Sequence, residues 1–302
     1  AVSGIDRRNP FKAAVAAGRA AGAIPAARRI LRSRDADVVL GGGGFVAGPA
    51  GLAAVSLRLP LVLTEADSHL GLANRLLSRR ARRVCLAFPI PGREGERYVV
   101  TGRPVPAAVL HADRGRARER FGIAAGVRCL LVMGGSQGAR SINRCALAAF
   151  AEEPERGFHV LHLAGRRDYP ELREQLGRSA AVDYTLIEYE PDLGDCLAAC
   201  DLVLGRAGGS IFEITAAARP AVLVPYPHAT ADHQSANAAW MERAGAAIVI
   251  ADKELDPERL EVEVGGLLSG EERLERMAEA SRSIARPDAS ARVADEVLAA
   301  VR

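Results

Sequence analysis

The feature that most constrains the fold is a repeated order of short apolar runs that end at glycine and lead into helical segments. The clearest instance spans residues 201–237, DLVLGRAGGSIFEITAAARPAVLVPYPHATADHQSAN. Its first apolar run stops at Gly205, a glycine-rich loop follows, and a helical pattern from Ser210 leads to the second apolar run, AVLV. Continuous apolar runs bounded by turn residues are typical of strands buried on both faces of a parallel sheet. The order therefore predicts the α/β fold class.

A similar order occurs earlier, from Asp37, where DVVLGGGG and GPAGLAAVSLRLPLVL again give strand, glycine turn, helix and strand. This internal similarity predicts two similar doubly wound domains. The length of 302 residues agrees with that count at roughly 100–200 residues per domain. We place the first domain over residues 1–106 and the second over residues 107–302, and the last helix could pack back on the first domain.

Composition excludes several classes of protein. The net charge is only +3 and aromatic residues make up 4% of the chain, so we expect no nucleic acid as a partner. No apolar run approaches the roughly 18–20 residues of a membrane-spanning helix. The five cysteines include no CxxC pair, which predicts buried, reduced thiols.

A second glycine-rich loop lies in MGGSQGARSIN, residues 133–143, which follows an apolar run and opens a helix. Gly134, Gly135 and Gly138 would permit a tight turn and close approach of the backbone to a ligand, and Ser136 offers a hydroxyl. The loop has the form of a phosphate-binding turn. It lacks the spacing of a P-loop and of a dinucleotide-binding GxGxxG motif, and a plain sharp turn is the alternative.

Polar side chains follow the glycine loop of residues 205–210. Glu213 lies one turn into its helix, where it either stabilises the helix start or accepts hydrogen bonds from the hydroxyls of a ribose. His233, Gln234 and Asn237 lie at the start of the next helix, where they either cap it or reach sugar hydroxyls. Their spacing alone does not decide between these roles.

Two further patterns concern membrane and metal binding. NRLLSRRARR, residues 74–83, predicts a basic amphipathic helix that is either a solvated face or a contact for an anionic membrane surface. Asp35 and Asp37 match the DxD metal motif of some glycosyltransferases, but they precede their strand, so we interpret them as a turn. We predict no metal site.

GGSQGAR, followed further along the chain by GRAGGSIFEITAAARPAVLVPYPHATADHQSANA, resembles the MurG family, the bacterial N-acetylglucosaminyltransferases that convert lipid I to lipid II in peptidoglycan synthesis. DVVLGGGGFVAGPAGLAA, LTEADSHLGLANRLL and VTGRPVP extend the resemblance over nearly the whole chain. It implies the GT-B architecture, in which two Rossmann-like domains with parallel sheets face each other across a cleft. The first domain would bind a lipid-linked acceptor and the second would bind the donor substrate, UDP-GlcNAc.

The resemblance also implies roles for individual residues. Around Ser136 the first loop would contact the diphosphate, Glu213 would hold the ribose, and Gln234 would meet the GlcNAc hydroxyls. The full donor set is Gly134, Gly135, Ser136, Gln137, Gly138, Glu190, Gly208, Gly209, Ser210, Glu213 and Gln234. Glu190 marks where the backbone that contacts uracil would pass. No cofactor is implied, and the protein is expected peripherally at the cytoplasmic face of the cell membrane.

The sequence departs from the family pattern at several places. TGRPVP replaces the usual GNPVR, so Pro106 stands where a donor-contacting Arg is usual, and Arg103 could compensate. TEADSH replaces the usual HEQN, and we take Glu65, Asp67 and His69 as candidate catalytic residues. The family's candidate base lies in a glycine loop that would precede this sequence. A complete chain without it is expected to turn over poorly, whereas a fragment would belong to an active enzyme.

Two alternatives remain open at this point. Related lipid glycosyltransferases share the C-terminal motif, so the acceptor could instead be diacylglycerol. The chain could also be a UDP-sugar-binding or membrane-tethering subunit without catalytic activity. The favoured reaction is inverting transfer of GlcNAc to the C4 hydroxyl of lipid I, in which a base deprotonates that hydroxyl.

Overall fold

The computed structural model describes residues 10–135, 138–151, 156–177, 183–229 and 232–301. By its contacts the chain divides into two compact units. The first comprises residues up to Pro104 together with those from Asp288 onwards, and the second comprises Val105–Pro287. The sequence places the boundary between the domains near residue 106.

Strands and helices alternate along both units, as expected for parallel α/β folds. The strands are β1 Val39–Gly41, β2 Leu61–Glu65, β3 Arg83–Leu86, β4 Tyr98–Val100, β5 Arg128–Met133, β6 Phe158–Leu163, β7 Tyr184–Ile187, β8 Leu202–Gly205, β9 Ala221–Leu223 and β10 Ala247–Val249. The helices are α1 Pro10–Ser33, α2 Gly44–Ser56, α3 Leu72–Leu77, α4 Ala107–His111, α5 Arg114–Arg120, α6 Arg140–Phe150, α7 Tyr169–Leu176, α8 Leu193–Ala199, α9 Ile211–Ala216, α10 His233–Arg243, α11 Pro257–Ser269, α12 Glu271–Ile284 and α13 Ala289–Val301.

The first unit is built on a four-stranded parallel sheet in the order β1-β2-β3-β4. One face buries Leu61 and Leu63 against Leu77 of α3. The other face is covered by the end of the chain, where Val293 and Ala300 of α13 bury apolar surface with Val62 of β2. Successive residues of β2 thus point to opposite faces, and both faces are apolar, as the continuous run LVL predicts.

The second unit is built on a six-stranded parallel sheet in the order β10-β9-β8-β5-β6-β7. Strands β5 to β7 extend in one direction from the middle and β8 to β10 in the other, which is the doubly wound order of nucleotide-binding folds. The order reverses between β5 and β8, which pair in register up to Met133 and Gly205. Ligands of such sheets bind outside the carboxyl ends of the strands at this reversal. The loops after Met133 and Gly205 therefore lie at the expected binding edge.

Some predicted helices differ from the structure. The sequence pattern predicts one helix from Pro10 to about Ala23 and a second short helix from Pro25, whereas the structure has one continuous helix, α1, with Pro25 inside it. Pro25 removes one backbone hydrogen bond, and the helix continues because its neighbours are mostly strong helix formers such as Ala and Arg. The predicted basic helix over residues 74–83 is wrong, because α3 ends at Leu77 and Arg83 begins β3. The chain leaves the helix to enter the sheet, where the Arg82 amide donates to the Leu61 carbonyl over 2.7 Å.

The sequence predictions for the cysteines and for Asp35 hold. The five cysteines are free and buried. Asp35 lies in a turn with a left-handed backbone, φ 48°. Within the described parts of the chain, no helix combines the length and the apolar character needed to cross a bilayer.

Candidate functional site

The two glycine loops of the second unit emerge side by side, because they follow Met133 and Gly205, which are paired residues of adjacent strands. Their close approach depends on glycine itself. A Cβ at Gly205 would lie 2.8 Å from the Met133 carbonyl oxygen, closer than real Cβ contacts allow. Glycine at position 205 therefore allows the first residues of the two loops to lie side by side.

The first loop is a tight turn that needs glycine at both of its ends. A Cβ at Gly134 would lie 2.3 Å from the Ala139 amide nitrogen. Gly138 has φ +79°, and a Cβ there would lie 2.3 Å from the Ala164 carbonyl oxygen. The Gly138 amide donates to the Gly135 carbonyl over 2.9 Å, which closes the turn. Ser136 and Gln137 lie outside the described residues, so their roles stay predictions.

A cavity of about 530 Å³ opens beside these loops. Its volume is within the range of roughly 300–1,000 Å³ that small-molecule sites occupy. The lining residues are Pro106, Ala108, Val109, Met133, Gly135, Leu163, Gly165, Glu188, Tyr189, Glu190, Pro191, Asp192, Leu193, Gly194, Ser210 and Glu213. Four of the residues predicted to bind the donor substrate line this cavity: Gly135, Glu190, Ser210 and Glu213. They belong to three separate parts of the sequence.

Pro106 also lines this cavity. Its apolar ring stands where the resemblance implies an arginine, so Pro106 itself brings no charge to the cavity. Compensation by Arg103 stays a prediction.

Both carboxylate oxygens of Glu190 accept hydrogen bonds from within the protein. The side chain pairs with Arg120 and is only 7% exposed, and its other oxygen accepts a hydrogen bond from the Asp192 amide over 2.9 Å. These contacts fix the segment that enters α8. Glu190 therefore offers a ligand its backbone at the cavity wall.

Gln234 lies beside the second loop and not in the cavity wall. Its Oε1 accepts a hydrogen bond from the Tyr226 amide over 2.9 Å, and its Nε2 would lie 3.9 Å from a Cβ at Gly208. Gly208 and Gly209 accept the first amide hydrogen bonds of α9, from Ile211 and Phe212. These residues surround the loop that leads to Ser210 and Glu213.

Two side chains whose partners sequence reasoning missed support the second loop. Asn237 donates to the Ala207 carbonyl over 2.9 Å, although the sequence left its role open. Arg206 donates to Asp252 over 2.6 Å and to the Ser141 hydroxyl over 2.7 Å. Ser141 belongs to the first turn of α6, so Arg206 connects the two glycine loops. The sequence does show an arginine within the glycine motif GRAGGS, but it does not indicate the partners of this arginine, which are distant along the chain.

The candidate catalytic residues lie in the first unit, at the carboxyl end of β2. Glu65 is 8% exposed. Its Oε2 accepts hydrogen bonds from the Gly71 amide and from Asn74 Nδ2, each over 2.9 Å, and its Oε1 accepts from the Asp67 amide over 3.3 Å. Glu65 thus fixes the loop that carries Asp67 and His69, both of which are partly exposed. This geometry gives Glu65 a positioning role, while Asp67 and His69 stay predictions as candidate bases.

We expect Glu65→Gln to lower the free energy of unfolding by about 1–3 kcal/mol. All three of these partners of the carboxylate are N–H groups that donate to it, and the NH₂ group of Gln would face one of them without forming a hydrogen bond. Thermal melting followed by circular dichroism measures the change. Asp67→Asn is the matched control in the same loop and should stay within about 0.5 kcal/mol. Equal melting temperatures for Glu65→Gln and the parent would contradict the positioning role.

The acidic, histidine and cysteine side chains are dispersed over the two units. Among the described residues, no group of three or more His, Cys, Asp or Glu side chains is arranged to hold a metal ion.

Comparisons with known proteins place the chain in a family. Residues 129–293 match the glycosyltransferase family 28 C-terminal domain, and residues 1–86 match the corresponding N-terminal domain. The UDP-N-acetylglucosamine–N-acetylmuramyl-(pentapeptide) pyrophosphoryl-undecaprenol N-acetylglucosamine transferase of Moorella thermoacetica is 41% identical, over 99% of this chain and 84% of that protein. The enzyme of the same name from Methylococcus capsulatus is 41% identical, over 89% of this chain and 74% of that protein. The chain belongs to the MurG family.

Solved structures agree with MurG membership. The crystal structure of Acinetobacter baumannii MurG matches with a TM-score of 0.76 and 30% identity, over 94% of this chain and 79% of that one. A UDP-GlcNAc 2-epimerase from Neisseria meningitidis, bound to UDP-GlcNAc, matches with a TM-score of 0.69 at 15% identity, over 99% of this chain and 84% of that one. The latter likeness concerns the fold alone. The fold class is that of GT-B glycosyltransferases, with two parallel-sheet α/β domains, and both the fold and the family predicted from the sequence are confirmed.

Proposed function

We propose that this chain transfers GlcNAc from UDP-GlcNAc to lipid I, undecaprenyl-pyrophosphoryl-MurNAc-pentapeptide, and so forms lipid II in peptidoglycan synthesis. Relatives that it matches over most of its length carry this activity in their names. The observation that carries the proposal is the cavity at the reversal of the second sheet, where residues of both family glycine motifs meet.

The cavity supports a specific orientation of the donor. Residues 188–190 form one wall, where their backbone would contact uracil, and Glu213 lines the same cavity, where it would accept hydrogen bonds from the ribose hydroxyls. Gly135 and Ser210 would face the diphosphate. Gln234, beside Gly208, would meet the GlcNAc hydroxyls outside the nucleotide cavity.

The proposed reaction is an inverting displacement at the anomeric carbon. The C4 hydroxyl of the acceptor loses its proton to a base, its oxygen forms the new bond to C1 of GlcNAc, and the bond from C1 to the β-phosphate oxygen breaks. Negative charge then grows on the departing UDP. The first loop leads directly into α6, an 11-residue helix whose amino-terminal amides favour an anion. The donor substrate supplies both the sugar and the leaving group, and we propose no cofactor.

Transfer from radiolabelled UDP-GlcNAc tests the proposal. The purified protein should label lipid I and leave diacylglycerol unlabelled. Labelled diacylglycerol without labelled lipid I would overturn the choice of acceptor. Bound UDP with transfer to neither acceptor would overturn the enzymatic function and leave a UDP-sugar-binding protein.

We further propose that the protein binds peripherally to the anionic cytoplasmic face of the membrane, where a lipid-linked acceptor would be found. Five exposed arginines lie together at the amino ends of the strands of the first sheet: Arg58, Arg79, Arg80, Arg82 and Arg97. None of them forms an ion pair with another described side chain. Three of these arginines, Arg79, Arg80 and Arg82, belong to the basic segment that the sequence predicts to be helical, and turns and strand ends bring them together with Arg58 and Arg97. Each arginine near an anionic bilayer contributes roughly 1 kcal/mol.

Replacing Arg79, Arg80, Arg82 and Arg97 by Gln should lower binding to vesicles that contain anionic lipid by about 1,000-fold at low salt, given roughly 1 kcal/mol per residue. Vesicle sedimentation measures the bound fraction. The control has Gln at four exposed arginines of the second unit, Arg116, Arg173, Arg273 and Arg286. Unchanged binding of the first variant, or an equal loss in the control, would contradict this role of the patch.

A further inference from the structure

A chain of buried polar side chains runs through the second unit from the end of its sheet to the first glycine loop. Tyr184 Oη lies 2.7 Å from His162 Nδ1, and His162 Nε2 lies 3.1 Å from Asn143 Oδ1. Asn143 Nδ2 donates to the Ala164 carbonyl over 2.8 Å and to Asp168 Oδ2 over 3.1 Å. His162 and Asn143 are 0% exposed. Burying such groups costs free energy unless every one has its partner, so their arrangement is strongly determined.

The direction of these hydrogen bonds follows from Asp168, the last side chain in the hydrogen-bonded series. Hydrogen bonds from the Arg167 guanidinium hold the pKa of Asp168 below its usual range, so its carboxylate only accepts. Asn143 must therefore turn its NH₂ group towards Asp168 and its oxygen towards His162. His162 Nε2 then carries the proton, and Tyr184 donates to Nδ1. Burial lowers the pKa of His162 to about 3, so the ring stays neutral and keeps this tautomer.

The end of this chain forms the floor beneath the first glycine loop. A Cβ added to Gly138 would have as its three nearest atoms the Ala164 carbonyl oxygen at 2.3 Å, Asp168 Oδ2 at 3.1 Å and Asn143 Nδ2 at 3.2 Å. These are the Asn143 amide and the two groups to which it donates. Gly138, the last residue of the loop, thus lies against a surface whose atoms are held in place by buried hydrogen bonds.

We propose that His162 and Tyr184 are positioning residues for donor binding, which act through Asn143 to hold Gly138, the last residue of the diphosphate-binding turn, in the position that nucleotide binding needs. This inference rests on the proposed function, because it takes UDP as the ligand of that turn. A turn held in its binding shape loses less conformational freedom when the ligand binds. Substitutions that remove hydrogen bonds from the groups beneath Gly138 should therefore weaken donor binding more than they slow the transfer step.

His159 provides a matched control on the same strand. It lies three residues from His162 in β6, so the two rings point to opposite faces of the sheet. His159 is 5% exposed and its Nε2 lies 2.9 Å from the Thr185 hydroxyl, on the strand that also carries Tyr184. It is a buried, hydrogen-bonded histidine of the same strand pair without a connection to the floor of the loop.

The experiment compares His162→Phe, Tyr184→Phe and His159→Phe by calorimetric titration with UDP and by steady-state transfer. We expect the Kd for UDP to rise about tenfold in His162→Phe, which loses two hydrogen bonds, and about threefold in Tyr184→Phe, which loses one. The KM for UDP-GlcNAc should rise with it, while kcat and the KM for the acceptor stay within about twofold. His159→Phe should bind UDP as the parent does, even if it melts at a lower temperature.

A folded His162→Phe that binds UDP as tightly as the parent would overturn the inference, and so would an equal loss in His159→Phe. If His162→Phe does not fold, Tyr184→Phe decides, because it removes one hydroxyl and keeps the ring. A parent protein that binds UDP but transfers no GlcNAc would contradict the proposed enzyme and leave this inference standing on its binding data. A parent that binds no UDP would overturn both.

Discussion

Gly138→Ala should weaken UDP binding by about 100-fold, the largest effect that we expect from adding a single methyl group. The residue has φ +79°, a conformation that costs roughly 1 kcal/mol for a residue with a Cβ. The methyl group would also lie 2.3 Å from the Ala164 carbonyl oxygen, which is backbone and cannot turn away. The loop must therefore move off its floor, and the amides that would bind the diphosphate move with it. Calorimetric titration with UDP measures the loss.

Gly126→Ala separates this effect from backbone strain alone. Gly126 also has φ +79°, but no atom lies within 4 Å of the position that its Cβ would take. The control should lose roughly 1 kcal/mol of stability and bind UDP as the parent does. If both variants bind UDP equally well, the fit of the loop to its floor has no part in donor binding.

Glu213→Gln should weaken UDP binding by about 10- to 100-fold, because hydrogen bonds to a charged group contribute about 1.5–3 kcal/mol. The side chain lies in the cavity, where it would accept from both ribose hydroxyls. The parent should bind 2′-deoxy-UDP more weakly than UDP. In the variant this difference should shrink, since the group that distinguishes the two ligands has been weakened. Competitive titration with both nucleotides measures it.

Glu258→Gln tests the simpler interpretation of Glu213 as an acid that only stabilises a helix start. Glu258 lies in the first turn of α11, as Glu213 lies in the first turn of α9. Both substitutions should cost about 0.3–1 kcal/mol of stability through the helix dipole. Only Glu213→Gln should change nucleotide binding, and unaltered binding in that variant would leave Glu213 with the dipole role alone.

The arrangement of the second domain could be predicted from the sequence because its signals are local. Apolar runs that end at Met133 and Gly205 predict strands, and the glycines after them predict close turns. Parallel strands place such turns on one edge of the sheet, so the two motifs could be expected to meet. The structure has them adjacent at the reversal of the strand order.

The buried polar contacts could not be predicted, because their partners are distant along the chain. Nothing near His162 in the sequence indicates that it bonds to Tyr184 and Asn143. Arg206 likewise contacts Ser141 and Asp252 only after the sheet has formed. Tertiary pairing also decided the end of α3, where the basic run looked helical in isolation but Arg83 joins β3.

The central claim is that the cavity beside the two glycine loops binds the nucleotide of UDP-GlcNAc. A crystal structure of the protein with UDP-GlcNAc tests it most directly. We predict uracil against the backbone of residues 188–190, the ribose hydroxyls on Glu213, and the diphosphate between Gly135 and Ser210. A nucleotide bound elsewhere, or a ribose without contact to Glu213, would contradict the claim.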